Sequence, residues 1–438
     1  MFRLPEDYFA QAGDRMMALA RELYPICRSI TGHGVRETLG IVKQRIPLEI
    51  VEVPTGTPVL DWEVPKEWNI RDAHISNSKG ERVVDFNESN LHVVGYSAPV
   101  DAEMTLDELS PHLHTLPDHP DWIPYRTGYF SDSWGFCLSE NLRQSLSSGE
   151  RYRVVIDASL EPGHLTYGEL VIRGQTDEEV LLSAHTCHPS LANDNLSGIG
   201  LLVEIAELLA KHQEELRYSY RLLFAPGTIG AITWLARNED KLDRMASGLV
   251  VSCVGDGGGP LYKRSRRGDG LIDKAMDHVL AHSGIDSASV KDFWPYGYDE
   301  RQYCSPGFNL PVGLFQRSQY GEFPQYHTSA DNLDFITADH LAVSLDLVLQ
   351  ALGIVESSCA FLNTSPKGEP QLGRRGLYNA IGGQNDSAEL QLAILWVLNL
   401  SDGEHSLLDI ADRAGMSYGL VQKAASLLED AELLDRPD

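Results

Sequence analysis

The run Val180-Leu181-Leu182-Ser183-Ala184-His185-Thr186-Cys187-His188-Pro189, continued by Asn193-Asp194-Asn195-Leu196-Ser197-Gly198, decides the fold of this chain. Glu179 to His185 has the short apolar character of a buried strand and delivers His185 to its carboxyl end. A loop of small residues then presents Asp194 just ahead of a helix. From Leu196 to Lys211 the apolar residues Ile199, Leu202, Val203, Ile205, Ala206 and Leu209 recur at helical spacing. A strand, a polar loop and a helix in that order are the unit of an α/β sheet.

The same alternation extends in both directions. Residues 152–157, 167–173, 218–225, 248–254 and 309–315 read as strands, and 229–242, 271–282 and 338–355 as helices. The pattern predicts a three-layer α/β sandwich whose functional groups lie where strands end and loops begin. Residues 8–45 read as helix, broken at Ile30-Thr31-Gly32-His33-Gly34. From about 55 to 150, prolines and tryptophans replace helical periodicity, which predicts a strand-rich insertion. Three short helices close the chain. Gly415-Met416-Ser417 forms the turn between the last two, with Ser417 as N-cap, the pattern of a winged helix. The expected domains are 1–55 with 155–375 for the α/β part, 56–154 for the insertion and 383–438 for the tail.

Composition narrows the function. The 438 residues exceed one hydrophobic core, and a net charge of -27 disfavours polyanions and anionic lipid. Six cysteines without paired spacing fit a reduced, cytoplasmic protein. The N-terminus lacks a signal-peptide design, and the apolar run Leu392 to Leu400 is too short to cross a bilayer, so no membrane role is expected. The tail from Asp386 carries eleven acidic residues against three basic ones, a net of -8. That predicts a protein contact, with another copy of the chain as the expected partner, rather than nucleic acid. Its apolar Leu390, Ile394, Leu395, Val397 and Leu398 are the expected contact face.

An imidazole and a carboxylate are typical zinc ligands, and the asparagines beside Asp194 are suited to orienting it. A histidine at a strand end is often only a packed core residue, and an Asp before a helix often only a cap. Together, with a second histidine, His188, and Pro189 punctuating the loop, they favour metal, and a second, distant signal is Tyr326-His327-Thr328-Ser329-Ala330-Asp331-Asn332. Zinc hydrolases take three protein ligands and leave one position for water, and His327 would complete His185 and Asp194.

These segments resemble the zinc aminopeptidase and glutaminyl cyclase superfamily. With Arg28-Ser29-Ile30-Thr31-Gly32 and Pro226-Gly227-Thr228-Ile229-Gly230, they resemble more closely a bacterial aminopeptidase-like family with an inserted domain and a C-terminal winged helix. The resemblance covers essentially the whole chain. It implies His185, Asp194 and His327 as zinc ligands, with Asp256 as a further acidic one. An Asp-Gly turn explains Asp256 equally well. Asp299 and, less directly, Glu300 match a segment that lies near the metal in relatives. One departure stands out. The superfamily's Glu-Glu pair, general base and second-metal ligand, follows the strand that here is 218–225, where this chain reads Phe224-Ala225-Pro226-Gly227-Thr228-Ile229-Gly230, with no carboxylate. The base would then be Asp299, Glu300 or the metal's own hydroxide, with one zinc rather than two.

Two lesser features complete the reading. Lys263-Arg264-Ser265-Arg266-Arg267 is either a substrate anion site or a solvated loop. Tyr125-Arg126 and Trp134 would wall the mouth of the site. The implied function is a zinc hydrolase of aminopeptidase or amidase type acting on a small peptide or amide with a free amino group. The alternatives are a non-catalytic metal-binding protein and a ligand-sensing regulator.

Overall fold

Eight strands build the central sheet: β1 (Glu49–Pro54), β2 (His164–Ile172), β3 (Glu179–His185), β4 (Ser219–Ala225), β5 (Met245–Val251), β6 (Leu261–Lys263), β7 (Ser289–Lys291) and β8 (Val312–Gln316). In the computed structural model, which describes residues 4–377 and 386–436, their order is β1-β2-β4-β3-β5-β8-β6-β7. β3 runs parallel to β4 and β5, and β5 to β8. The edges are mixed: β1-β2-β4 are antiparallel, as is β6 to β8, while β6 and β7 are parallel. Every residue of β3 and β4 is buried, as a sheet covered on both faces requires. The carboxyl ends of β3, β4 and β5 therefore share one edge, with the chain crossing over β3 between its neighbours. Ligands of open α/β sheets bind at such an edge.

Among the helices, Tyr8–Leu23 contacts Gly198–Lys211, the helix that follows the Asp194 loop. Their apposition is close enough that Gly200 sits 3.4 Å, by its virtual Cβ, from Met16. Ala338–Ser357 has the length and apolarity of a bilayer span, but over half of that stretch is buried inside the protein.

The insertion is an antiparallel sheet of Arg82–Asp85, Glu67–Ser76, Arg151–Glu161 and Val100–Thr105, in that order. Its third strand is the one expected to open the α/β domain. Tyr152, Val154, Ile156 and Ala158 are buried while alternate residues are not. That period of two suits a half-covered antiparallel sheet, unlike the continuous burial of β3. The insertion has no separate core: Trp68, Ile75, Val154 and Ile156 share one apolar cluster with Leu181, Leu223 and Trp234.

The remaining compact unit comprises Leu271–Asp286 and the described residues from Leu347 onward. It contains the helices Asp386–Leu400, Leu407–Ala414 and Tyr418–Asp430, and a sheet of Asp402–Ser406, Ala360–Asn363 and Leu434–Asp435. Ala360–Asn363 thus belongs to this winged helix, not to the α/β domain; the expected boundary at 383, like Met1 to Arg3 at the N-terminus, lies outside the described residues. Ser406 caps Leu407–Ala414 in a reciprocal box with Asp409, and Gly415 ends that helix at φ 63°. Ser417 occupies the N-cap position of the last helix without a side-chain capping bond. Leu390, Ile394, Val397 and Leu398 are buried in the chain itself, so they offer no contact face. Leu392 is the exposed large apolar residue among the described side chains of that helix, and Leu395 is half-buried.

Candidate metal centre

β3 ends at His185, whose ring is buried and whose Nε2 lies 2.8 Å from Asp194 Oδ1. The other carboxylate oxygen, Oδ2, lies 3.0 Å from His327 Nε2 and 3.9 Å from His188 Nε2. One fully buried carboxylate is therefore faced by three imidazoles. The ligand atoms of His185, His188 and Asp194 all lie within 4.8 Å of one another. His327 reaches the group through Oδ2 and has its backbone in the left-handed region, φ 54°.

The surroundings hold these groups in place. Asp331 accepts the backbone N–H of Asn193 (2.6 Å) and Asp194 (3.0 Å), which pins the loop. Asn195 accepts from Gly198 N and donates Nδ2 to the Val251 carbonyl, so its amide orientation is settled, with Nδ2 3.3 Å from His185 Nδ1. Tyr298 stacks on His185 at 5.2 Å and 17°. Arg28 is buried and donates to the carbonyls of His188 (2.7 Å), Pro189 (2.9 Å) and Leu23 (2.6 Å). Burial lowers its pKa to about 10, which leaves it charged at neutral pH. The Arg28 to Gly32 motif is thus a brace for the His188 loop.

Electrostatics divide the roles. Burial pushes the Asp194 carboxyl up, but His188 and His185, with hydrogen bonds from His185 and His327, hold it well below the usual range. Burial holds His188 well below an ordinary imidazole, against the pull of Asp194. Three imidazoles around one carboxylate are a donor set that fits zinc.

Asp256 stands outside this cluster. It accepts from Asn193 Nδ2 (2.7 Å), Ser318 Oγ (2.6 Å) and Gly258 N (2.6 Å), and so supports the loop from behind. Asp299 is buried beside His185, and burial raises its pKa to about 7. A Cβ at Gly227 would lie 3.5 Å from Asp299 Oδ1 and 3.2 Å from His185 Cβ. The Asp299 carboxylate thus fills the space in front of the position where a residue-227 side chain would begin. Glu300 is buried against Lys263 Nζ at 2.6 Å, and burial raises its pKa despite that partner. Lys263 is consequently an internal counter-ion, and Arg264 pairs with Asp292.

The insertion reaches the site through Tyr125. Its N–H donates to the His327 carbonyl (2.8 Å), and its ring meets His188 and His327 edge-on at 5.2 and 5.1 Å. Pro124 and Thr328 form an isolated antiparallel bridge. Trp134 instead stacks on His112 at 3.6 Å, so the aromatic wall is Tyr125 rather than Trp134. A cavity of about 620 Å³ lies between Tyr24, Trp68, Asn90 and Ser190 and is not lined by the metal-site residues.

Sequence reasoning had His188, Asp331 and Arg28 within its motifs but named none of them as a site residue. His188 follows His185 by three residues in the quoted run, and that proximity was the available signal.

A family model described as a domain of unknown function (DUF4910) matches residues 17–358, and a winged helix-turn-helix model matches 360–436. A Clostridium acetobutylicum protein, provisionally named a polysaccharide biosynthesis protein with aminopeptidase-like domain, is 54% identical over 425 residues, 97% of each chain. A crystal structure from the same organism, provisionally named a peptidase, is 52% identical with a TM-score of 0.93, covering 98% of this chain and 97% of that one. The Bacillus subtilis zinc aminopeptidase BSAP is 14% identical over 81% of this chain and 96% of its own, with a TM-score of 0.58, a likeness of fold.

Proposed function

The chain belongs to the DUF4910 family and has its aminopeptidase-like domain and C-terminal winged helix, and from that premise we propose that it is a zinc-dependent hydrolase of aminopeptidase or amidase type. The observation that carries the reading is the buried Asp194 carboxylate shared by His185 and His327, with His188 at 3.9 Å. His185, Asp194, His327 and His188 supply the donors. Bound there, zinc would polarise a scissile carbonyl and lower the pKa of water.

The chain's own residues do the rest. Asp299, poised near neutrality beside His185, takes the proton from the attacking water and passes it to the leaving amine, the work that needs a base near the operating pH. Its position against Gly227 supports this assignment in place of the absent Glu pair. Glu300 and Lys263 hold the short helix that carries Asp299, which makes Glu300 a positioning residue. Tyr125 covers His188 and His327. The substrate class is a small peptide or amide with a free amino group. The acidic tail, at -8 from Asp386 onward, argues against a polyanion as its partner.

The test is turnover of a panel of aminoacyl amides and dipeptides by the full chain, with and without added zinc. Zinc-dependent release of the amine supports the proposal. Tight zinc binding with no turnover across the panel supports the second reading, a metal-retaining protein without catalysis, which the missing carboxylate at Gly227 favours.

A further inference from the structure

A cavity of about 420 Å³ is lined by Gly227 and Thr228 together with Ile30, Ile229, Ile232, Trp62, Phe130 and Arg301. Its volume suits a small organic ligand. Trp62 and Phe130, both from the insertion, stand 48% and 52% exposed and lie against each other at 5.2 Å. Large aromatic surface left in water beside a cavity marks a binding surface.

The cavity has one cation. Arg301 makes no hydrogen bond or ion pair among the described residues, and its Nε is enclosed without a partner. Its guanidinium lies over the Tyr296 ring at 5.9 Å, which leaves its fork free for an anion. A planar guanidinium suits a carboxylate. Arg301 is two residues from Asp299, and Gly227 lines the cavity while facing both His185 and Asp299. The cavity therefore adjoins the catalytic groups.

We propose that this cavity is a subsite for the leaving half of a short peptide, with its C-terminal carboxylate on Arg301 and an apolar side chain between the isoleucines and Trp62-Phe130. The assignment rests on the hydrolase reading above for the word "leaving", but not for binding. It makes the substrate a dipeptide or similar amide ending in an apolar residue with a free carboxylate.

The experiment measures binding of Leu-Phe and of Leu-Phe amide by calorimetry. It uses the full chain as purified and after chelation, so that affinity is read apart from turnover. Leu-Phe should bind about tenfold tighter than the amide, the effect of one charge-assisted pair. The ratio should fall to about one in Arg301→Gln and be partly kept in Arg301→Lys. Trp62→Ala should weaken both ligands equally. Equal binding of the two peptides by the wild-type chain, binding of neither, or a tenfold ratio that persists in Arg301→Gln overturns the subsite. If the ratio behaves as expected and no peptide is hydrolysed with or without zinc, the subsite stands and the hydrolase reading falls.

Discussion

Replacing Arg28 with Met removes the brace beneath the His188 loop while keeping much of the side-chain volume. Four bonds are lost, three to the carbonyls of His188, Pro189 and Leu23 and a longer, weaker one to Thr38 Oγ1 at 3.4 Å. Pro189 and Leu23 keep backbone donors from Leu191 and Ile26. The His188 carbonyl loses the donor that Arg28 provides, so one orphaned acceptor dominates at about 2 kcal/mol, with about 1 kcal/mol for each of the other two carbonyl bonds. Relief from burying a charge offsets roughly 1–2 kcal/mol of that total. The net is about 2–3 kcal/mol of local stability, or exchange roughly 30- to 150-fold faster at the loop amides. Thr186, Ala192, Asn193 and Asp194 have bonded amides that report it. Native-state hydrogen exchange on the metal-free chain is the assay, with zinc affinity as a second readout that should weaken in parallel. Exchange at these amides within threefold of wild type, with unchanged zinc affinity, would refute the bracing role.

Asp299→Asn should lower hydrolysis by at least about 100-fold while zinc content stays the same; loss of zinc instead would make Asp299 a ligand. Gly227→Ala, with its Cβ 3.2 Å from His185 Cβ and 3.5 Å from Asp299, should cost about 1–3 kcal/mol of stability and most activity, measured by denaturant midpoint and turnover. In the C-terminal unit, His278 Nδ1 lies 2.6 Å from Asp412 while its Nε2 accepts from Tyr418 N at 2.9 Å, which settles a neutral tautomer. Burial lowers its pKa, against Asp412 and with His282 stacked on it. The unfolded chain therefore binds the proton more readily, so this contribution is present above about pH 6.5 and lost as pH falls. Protection at the start of Tyr418–Asp430, measured against the intrinsic exchange rate at each pH, should fall from pH 7 to 5, and the fall should be smaller in His278→Asn; wild-type protection that is independent of pH would contradict this.

How much of this was readable in advance depended on the range of the interaction. Burial of β3 and the helix Gly198–Lys211 is written in local periodicity, and His185 and Asp194 are joined by one loop. His327 required a second motif. Arg28 was visible as part of a motif, but the loop carbonyls it braces, those of His188 and Pro189, lie 160 and 161 residues away, so no local pattern states what it braces. The strand Arg151–Glu161 shows the limit differently. It is a good strand by composition, yet only its alternate burial shows that it pairs with Glu67–Ser76 and not with the central sheet. β1, with its mixed Glu-Ile-Val-Glu-Val-Pro sequence, is held by pairing to β2 rather than by apolar content. At the site, the missing Glu pair was evident from Pro226-Gly227, whereas the occupation of that space by Asp299 is a tertiary fact.

The central claim is a single zinc held by the Asp194 carboxylate and its imidazoles. Anomalous diffraction at the zinc edge, on crystals of the full chain purified without added metal, tests it most directly. The account predicts one peak within bonding distance of His185 Nε2, an Asp194 oxygen and His327 Nε2. No peak there after zinc supplementation, or a second peak ligated by Asp256, would contradict it.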